Sequence, residues 1–337
     1  MSTAPLIEVI DLTIQLNTAV GMLEAVRGVN FSVADGKTLG VVGESGCGKS
    51  ITMLAIMGLL PPDVVISGSI KLRGVELVGM SQRQLAGLRG KRMAMIFQDP
   101  MTSLNPVMTV CEQIIEAISI HDRQASQNAK RVRALDLLQL VAIPYPERRL
   151  KQYPHELSGG MRQRVMIAIA MANDPELLIA DEPTTALDVT VQAQIIELLQ
   201  RLQRERKMGL MLISHDLGVV AGIADEVAIM YAGRVCEKGP VETVFDRPHH
   251  PYTFGLLESL PKIDRTEDQL VAIPGSLPTL SMRPSGCRFH PRCNFAQAIC
   301  AEADPALETV QDPLTPGVVA ACHFAETALY TDQGAGS

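Results

Sequence analysis

The run Gly43-Glu44-Ser45-Gly46-Cys47-Gly48-Lys49-Ser50 has the spacing G-x-x-x-x-G-K-S, in which successive backbone N–H groups can converge on phosphate oxygens. A helix opening at Ile51 would aim the positive end of its dipole at the same anion. Lys49 can reach the β and γ phosphates of a nucleotide, and the Ser50 hydroxyl can ligate Mg2+. A second reactive group, Asp181-Glu182, directly follows the apolar run Leu177-Leu178-Ile179-Ala180. If that run is a buried strand, both carboxylates emerge at its C-terminal edge, where open α/β sheets bind ligands. Asp181 is then placed to hold magnesium through its water shell, and Glu182 to orient and deprotonate an attacking water. Two adjacent carboxylates would repel a triphosphate, and a divalent cation between them reverses that sign. A solvated acidic pair is the plainer alternative, and it loses weight beside a phosphate loop. The nucleotide-holding set is Gly43, Glu44, Ser45, Gly46, Cys47, Gly48, Lys49, Ser50 and Ile51.

These groups need a scaffold. Residues 38–42 form a short β-branched run before the glycine-rich turn, and residues 51–60 read as a helix closed by Pro61-Pro62. The pattern is strand, loop, helix. Residues 6–35 alternate apolar and polar positions in short pieces, as half-buried antiparallel strands do. Between about 100 and 175 the pattern turns helical, with residues 111–120 and 129–141 as the clearest stretches, which predicts an inserted helical subdomain. Residues 177–180 and 210–213 are fully apolar, with a helical pattern over 191–206 between them, which fits buried parallel strands and a crossover helix. Residues 227–230 look like a later strand. Beyond Gly239 proline becomes frequent and periodicity fades, so we divide the chain into 1–250 and 251–337.

Composition limits the role. A formal net charge of −7 argues against a nucleic-acid footprint. No apolar run approaches the ~18 residues needed to span a bilayer, and the N-terminal residues lack the pattern of a secretory signal, so a cytoplasmic chain is expected. Four of the seven cysteines, Cys287, Cys293, Cys300 and Cys322, crowd the C-terminal end. In a reducing compartment this favours metal ligation over disulfides. Four soft ligands suit either tetrahedral zinc or a [4Fe–4S] cluster, and the spacing matches neither a zinc ribbon nor the ferredoxin run.

A phosphate loop alone does not assign a biological role. Leu157-Ser158-Gly159-Gly160-Met161-Arg162-Gln163-Arg164 resembles the signature sequence of ABC-type ATPases and precedes the Asp-Glu pair by about twenty residues, as in that family. Ser158 and the bare N–H groups of Gly159 and Gly160 can open a helix and offer a second anion site. The resemblance implies that this turn closes over the γ-phosphate of ATP held by an opposite subunit. It also implies roles for three more residues: Gln98 as the glutamine that senses magnesium and the attacking water, His215 as the switch histidine at the γ-phosphate, and Asp188 as the D-loop aspartate across the dimer contact. Two positions depart from the family pattern. Met161 replaces the usual glutamine, and residues 8–30 contain no aromatic residue to stack the adenine, which leaves Val20 or a neighbour to pack it.

Residues 42–46, 98–106 and 249–253 narrow the likeness, which runs from Ile7 to the C-terminal cysteine segment, to the dipeptide/oligopeptide importer ATPases of bacteria, nearest to the D-type subunit of the dipeptide permease. Nickel and glutathione importers share this style. The implied fold is an α/β P-loop NTPase with an ABC ATPase core, an N-terminal antiparallel β subdomain, an inserted helical subdomain and a coil-rich, metal-binding C-terminal extension. The implied cofactors are ATP, Mg2+ and a [4Fe–4S] cluster, with zinc as the alternative. The implied partners are a second ABC ATPase subunit, a related chain of the F type, two transmembrane permease subunits and, indirectly, a periplasmic substrate-binding protein; no nucleic acid is expected. Such a heterodimer would sit peripherally on the cytoplasmic face of the inner membrane. A ribosome- or DNA-directed ABC ATPase would carry two cassettes or a long coiled-coil insertion, and exporter motors are often fused to membrane helices. The sequence has none of these, and the intact Lys49, Asp181, Glu182 and His215 disfavour a silent regulatory subunit.

Overall fold

A computed structural model describes residues 5–259 and 273–326. Two sheets dominate it. The smaller is antiparallel, in the order β2-β1-β4-β5, from β1 (Ile7–Thr18), β2 (Gly21–Val33), β4 (Val65–Leu72) and β5 (Val75–Glu76). The alternation over 6–35 therefore belongs to two long strands rather than several short ones. The pairing of β1 with β2 shifts register between Val9 and Gln15, where Asp11 takes a positive φ of 48°. A bulge of this kind bends a long ribbon and sharpens its twist.

The larger sheet has eight strands: β11 (Glu308–Thr309), β12 (Val319–Ala320), β10 (Arg234–Pro240), β9 (Glu226–Tyr231), β3 (Thr38–Val42), β8 (Gly209–Ser214), β7 (Leu177–Asp181) and β6 (Met93–Ile96), in that order. Its parallel part comprises β3, β6, β7, β8 and β9. Every residue of β3, β7 and β8 is buried, which explains why these strands are continuous apolar runs without alternation. Helices Val110–His121, Gln127–Leu140 and Gly159–Ala170 form the expected helical lobe and share a core of Ile114, Ala134, Leu137, Leu138 and Val165. Thr109 and Glu112 close a reciprocal capping box at the start of the first of them. The crossover helix is Val189–Arg206. Among the described residues no helix is long and apolar enough to cross a membrane.

The helix after the phosphate loop runs only over Lys49–Ile56, shorter than the expected 51–60. Gly58, at φ 61°, turns the chain before Pro61 is reached, so a glycine sets the end rather than the proline pair.

The C-terminal extension is built into the core. Strands β11 (Glu308–Thr309) and β12 (Val319–Ala320) continue the large sheet beyond β10 (Arg234–Pro240), with Glu237 opposite Ala320. The Glu237 side chain is fully buried and accepts hydrogen bonds from the backbone N–H groups of His249 (2.7 Å) and His250 (3.0 Å). Burial pushes its carboxyl up from 4.5 to about 7, more than these donors offset. The folded chain therefore keeps a proton that the unfolded chain loses near pH 4.5. This contribution to stability is complete below that pH and disappears as pH rises through about 7. Denaturant titrations should show stability falling by on the order of 1 kcal/mol per pH unit between about pH 5 and 7. Glu237→Gln should flatten that slope; an equally steep slope in the variant would assign the titration to another group.

Candidate nucleotide site

The site forms because four parallel strands end at one level. Val42 pairs with Ser214, Asp181 with Ile213, and Ile96 with Ala180. The residues that follow these strand ends are Gly43, His215, Glu182 and, two beyond Ile96, Gln98. A cavity at this edge is lined by Ser45, Gly46, Gly48, Lys49, Ser50, Ile51, Gln98, Glu182 and His215, together with Leu16, Ala25 and Leu280.

The phosphate loop is tightly constrained. A side chain at Gly43 would lie 2.1 Å from the Met230 carbonyl oxygen of β9, so no larger residue fits there. Lys49 is only 5% exposed and its ammonium donates to the carbonyls of Gly43 (2.6 Å) and Glu44 (3.0 Å). A buried ammonium needs such acceptors, and a phosphate oxygen can replace them.

Asp181 closes β7, and one of its carboxylate oxygens, Oδ1, is buried without a partner. Burial raises its carboxyl above the ordinary range; a hydrogen bond from Ser50 opposes this, the Glu182 charge adds to it and Lys49 opposes it. A buried carboxylate oxygen without a donor, joined to a hydroxyl beside a phosphate loop, is a donor set that suits Mg2+, which binds through one or two carboxylates plus phosphates.

Glu182 adopts a left-handed backbone, φ 45°, and its N–H donates to Ile213 O at 2.9 Å. A non-glycine residue in that region costs ~1–3 kcal/mol. Its Oε2 accepts from Gln98 Nε2 (2.9 Å) and Thr185 Oγ1 (3.0 Å), with His215 Nδ1 at 3.4 Å. Two hydrogen bonds thus hold one carboxylate oxygen, with the His215 imidazole beside it. Thr185, absent from the sequence reading, follows Glu182 by three positions and faces back because of the turn.

The remaining expected residues lie elsewhere. Ser158 caps helix Gly159–Ala170, accepting from Met161 N, and both Ser158 and Gly159 are exposed. Gly160 has a packing reason of its own, since a Cβ there would meet Val191 Cγ1 at 2.7 Å. None of these three lines the cavity. Asp188 caps the crossover helix by accepting from Val191 N at 3.0 Å. Val20 is 74% exposed and does not line the cavity, whereas its neighbours Leu16 and Ala25 do.

Residues of the extension also reach the phosphate loop. The Tyr252 hydroxyl accepts from Glu44 N–H at 2.9 Å. Arg292, only 8% exposed, donates to both Glu44 carboxylate oxygens (2.9 and 3.1 Å), and its guanidinium lies over the Tyr231 ring. Tyr252 belongs to the segment 249–253 that serves above only as a family marker.

Cys287, Cys293, Cys300 and Cys322 line one cavity with Phe289, Phe295 and Phe324. Burial raises the thiols of Cys293 and Cys322 to about 11. Among the described residues, no three His, Cys, Asp or Glu side chains are grouped so as to hold a metal ion. The expected metal-binding extension is therefore a shared cavity ringed by thiols, with no ready-made site for a single zinc ion. His290 and His323 turn to backbone carbonyls, of Cys287 and Ala303.

Residues 26–185 match the ABC transporter family, and residues 236–300 match the oligopeptide/dipeptide transporter C-terminal region. The chain is 49% identical to a putative peptide import ATP-binding protein of Brucella abortus, over 96% of each chain. It is 51% identical to the oligopeptide transport ATP-binding protein OppD of Bacillus subtilis, over 91% of this chain and 86% of that one. Its fold is similar to that of a dimeric ATP-binding cassette solved in a post-hydrolysis state with ADP and Pi: TM-score 0.63, 27% identity, 70% of this chain and 98% of that one. The chain belongs to the ABC transporter family and, within it, to the ATPase subunits that energise oligopeptide import.

Proposed function

We propose that this chain hydrolyses ATP at the cavity described above, with Glu182 as the base that takes a proton from the attacking water. The observation that carries this reading is the Glu182 carboxylate, hydrogen-bonded by Gln98 and Thr185 with His215 nearby, beside the phosphate loop. Lys49 exchanges the carbonyls of Gly43 and Glu44 for the β and γ phosphates. Ser50 and Asp181, aided by Gln98, would hold magnesium, which would supply charge neutralisation for the triphosphate. The turn Ser158-Gly159-Gly160 and Asp188 serve an opposite ATPase subunit, a reading supported by the exposure of that turn and by the dimeric state of the similar cassette.

The proposed assembly is a heterodimer with a related chain of the F type, beneath two permease subunits on the cytoplasmic face of the inner membrane, fed by a periplasmic binding protein. The relatives' names favour peptides over nickel or glutathione as cargo, and the family matched by residues 236–300 covers both oligopeptides and dipeptides. Residues 1–250 act as the nucleotide-binding domain and 251–337 as an extension that steadies it.

The four cysteines suit a [4Fe–4S] cluster better than a lone zinc ion, because they ring a cavity without converging on one point. Chain purified without oxygen should carry about four iron and four sulfide per molecule; stoichiometric zinc, or no metal, would refute this assignment.

Glu182→Gln should keep ATP binding and lower turnover by about 10²–10⁴-fold in the assembled transporter, the usual contribution of a positioned base. A variant that keeps most of its ATPase rate would remove Glu182 from that role. Arg292→Ala should leave Glu44 uncompensated, weaken ATP binding about tenfold and lower the melting temperature, with Arg292→Lys intermediate because it restores charge without the two-pronged geometry. Unchanged ATP titrations in Arg292→Ala would show that the phosphate loop holds its shape without the extension.

A further inference from the structure

The lining of the nucleotide cavity combines two kinds of residue: the phosphate loop, Gln98, Glu182 and His215 are polar, while Leu16, Ala25 and Leu280 bring aliphatic side chains. We propose that Leu280, in the C-terminal extension, packs against the nucleotide base and takes the place of the aromatic residue that this chain lacks. The proposal rests on the reading of the cavity as the ATP site.

Three observations support it. Leu280 opens a short 3-10 turn, Leu280–Met282, whose following residue Arg283 donates to the backbone carbonyls of Glu24 and, at 2.9 Å, Ala25. That pair of bonds fixes the turn against β2 directly beside Ala25. Leu277, from the same segment, reaches the phosphate loop, so that a Cβ on Gly46 would lie 3.7 Å from its Cδ2. The segment therefore touches the loop and the β-ribbon, and Leu280 lies between these anchors along the chain. Leu280 itself is only partly buried and lines the cavity, which leaves apolar area to be covered by a flat ring.

An aliphatic wall gains free energy by excluding water from a purine face, and it does so for any purine. It offers no donor or acceptor to read the ring edge, in contrast to a site that hydrogen-bonds its ligand and rejects analogues strongly. Leu280 would thus strengthen nucleotide binding while adding little preference between adenine and guanine.

The test compares ATP, GTP and inorganic tripolyphosphate, each with magnesium, by calorimetric titration of the full-length chain and its Leu280→Ala and Leu280→Phe variants. Leu280→Ala should weaken ATP and GTP alike by about three- to tenfold, the loss expected for a few tens of Å2 of apolar contact, and leave tripolyphosphate affinity unchanged. Leu280→Phe should retain or tighten both nucleotides. Unchanged ATP affinity in Leu280→Ala would overturn the proposal. So would a proportional loss of ATP and tripolyphosphate, which would mark Leu280 as a support of the loop. Lys49→Ala, titrated in parallel, tests the underlying reading separately: if it still binds ATP at full affinity, the cavity itself is misassigned.

Discussion

Four parallel strands must end at the same height before a phosphate loop, a glutamine, a carboxylate pair and a histidine can meet. Parallel pairing supplies this constraint. The ladders from β6 through β7 and β8 to β3 run without a register shift, and their last pairs involve Ile96, Ala180, Asp181, Ile213, Ser214 and Val42. A slip of one residue in β7 would turn Asp181 to the opposite face of the sheet and send Glu182 the other way. Burial on both faces makes that slip costly, since every residue of β3, β7 and β8 is removed from water. The apolar composition of the strands and the position of the polar groups are thus one requirement: the former fixes the register on which the latter depends.

The extension beyond residue 250 adds a second constraint from the far side of the loop. Glu44 is held through its N–H by Tyr252 and through its carboxylate by Arg292. Arg292 directly precedes Cys293, which lines the thiol-bearing cavity. Breaking a largely buried ion pair at one partner typically costs several kcal/mol, because the other charge remains desolvated; Glu44 is more exposed than Arg292, so the cost here lies at the lower end of that range. The extension thus braces Glu44 of the phosphate loop, even though the groups proposed for hydrolysis all belong to the core.

The sequence was most legible where one segment carries its own geometry. The phosphate loop, the apolar strands and the Asp181-Glu182 pair were each readable because spacing and local structure coincide. The end of the first helix was not: the proline pair pointed to 60, while Gly58 turns the chain earlier. Arg292 was out of reach for a different reason. It meets Glu44 across 248 positions of chain, and nothing local to either residue announces the other. Tyr252 and Thr185 were visible as residues but silent as partners, because their roles arise from a backbone turn or a tertiary contact. The cysteines showed the opposite failure: their clustering was legible, but a ring of thiols around a cavity and a convergent ion site look the same in one dimension.

The two loops that contact phosphate in the proposed mechanism differ in a way that bears on assembly. The phosphate loop is locked from behind by Met230, Tyr252 and Arg292, and its lysine already has acceptors within its own chain. The Ser158-Gly159-Gly160 turn is exposed, and Gly160 is fixed in type by Val191 whether or not a phosphate approaches. A chain built this way grips a triphosphate from one side only. Enclosure then requires donors from a second body, and the nucleotide's negative charge supplies the attraction for the unpaired N–H groups at the start of that body's signature helix. In the proposed mechanism, loss of the γ-phosphate on hydrolysis would remove the part of the ligand that both surfaces share. Opening would then need no separate device, since the anion that closes the pair is the one consumed.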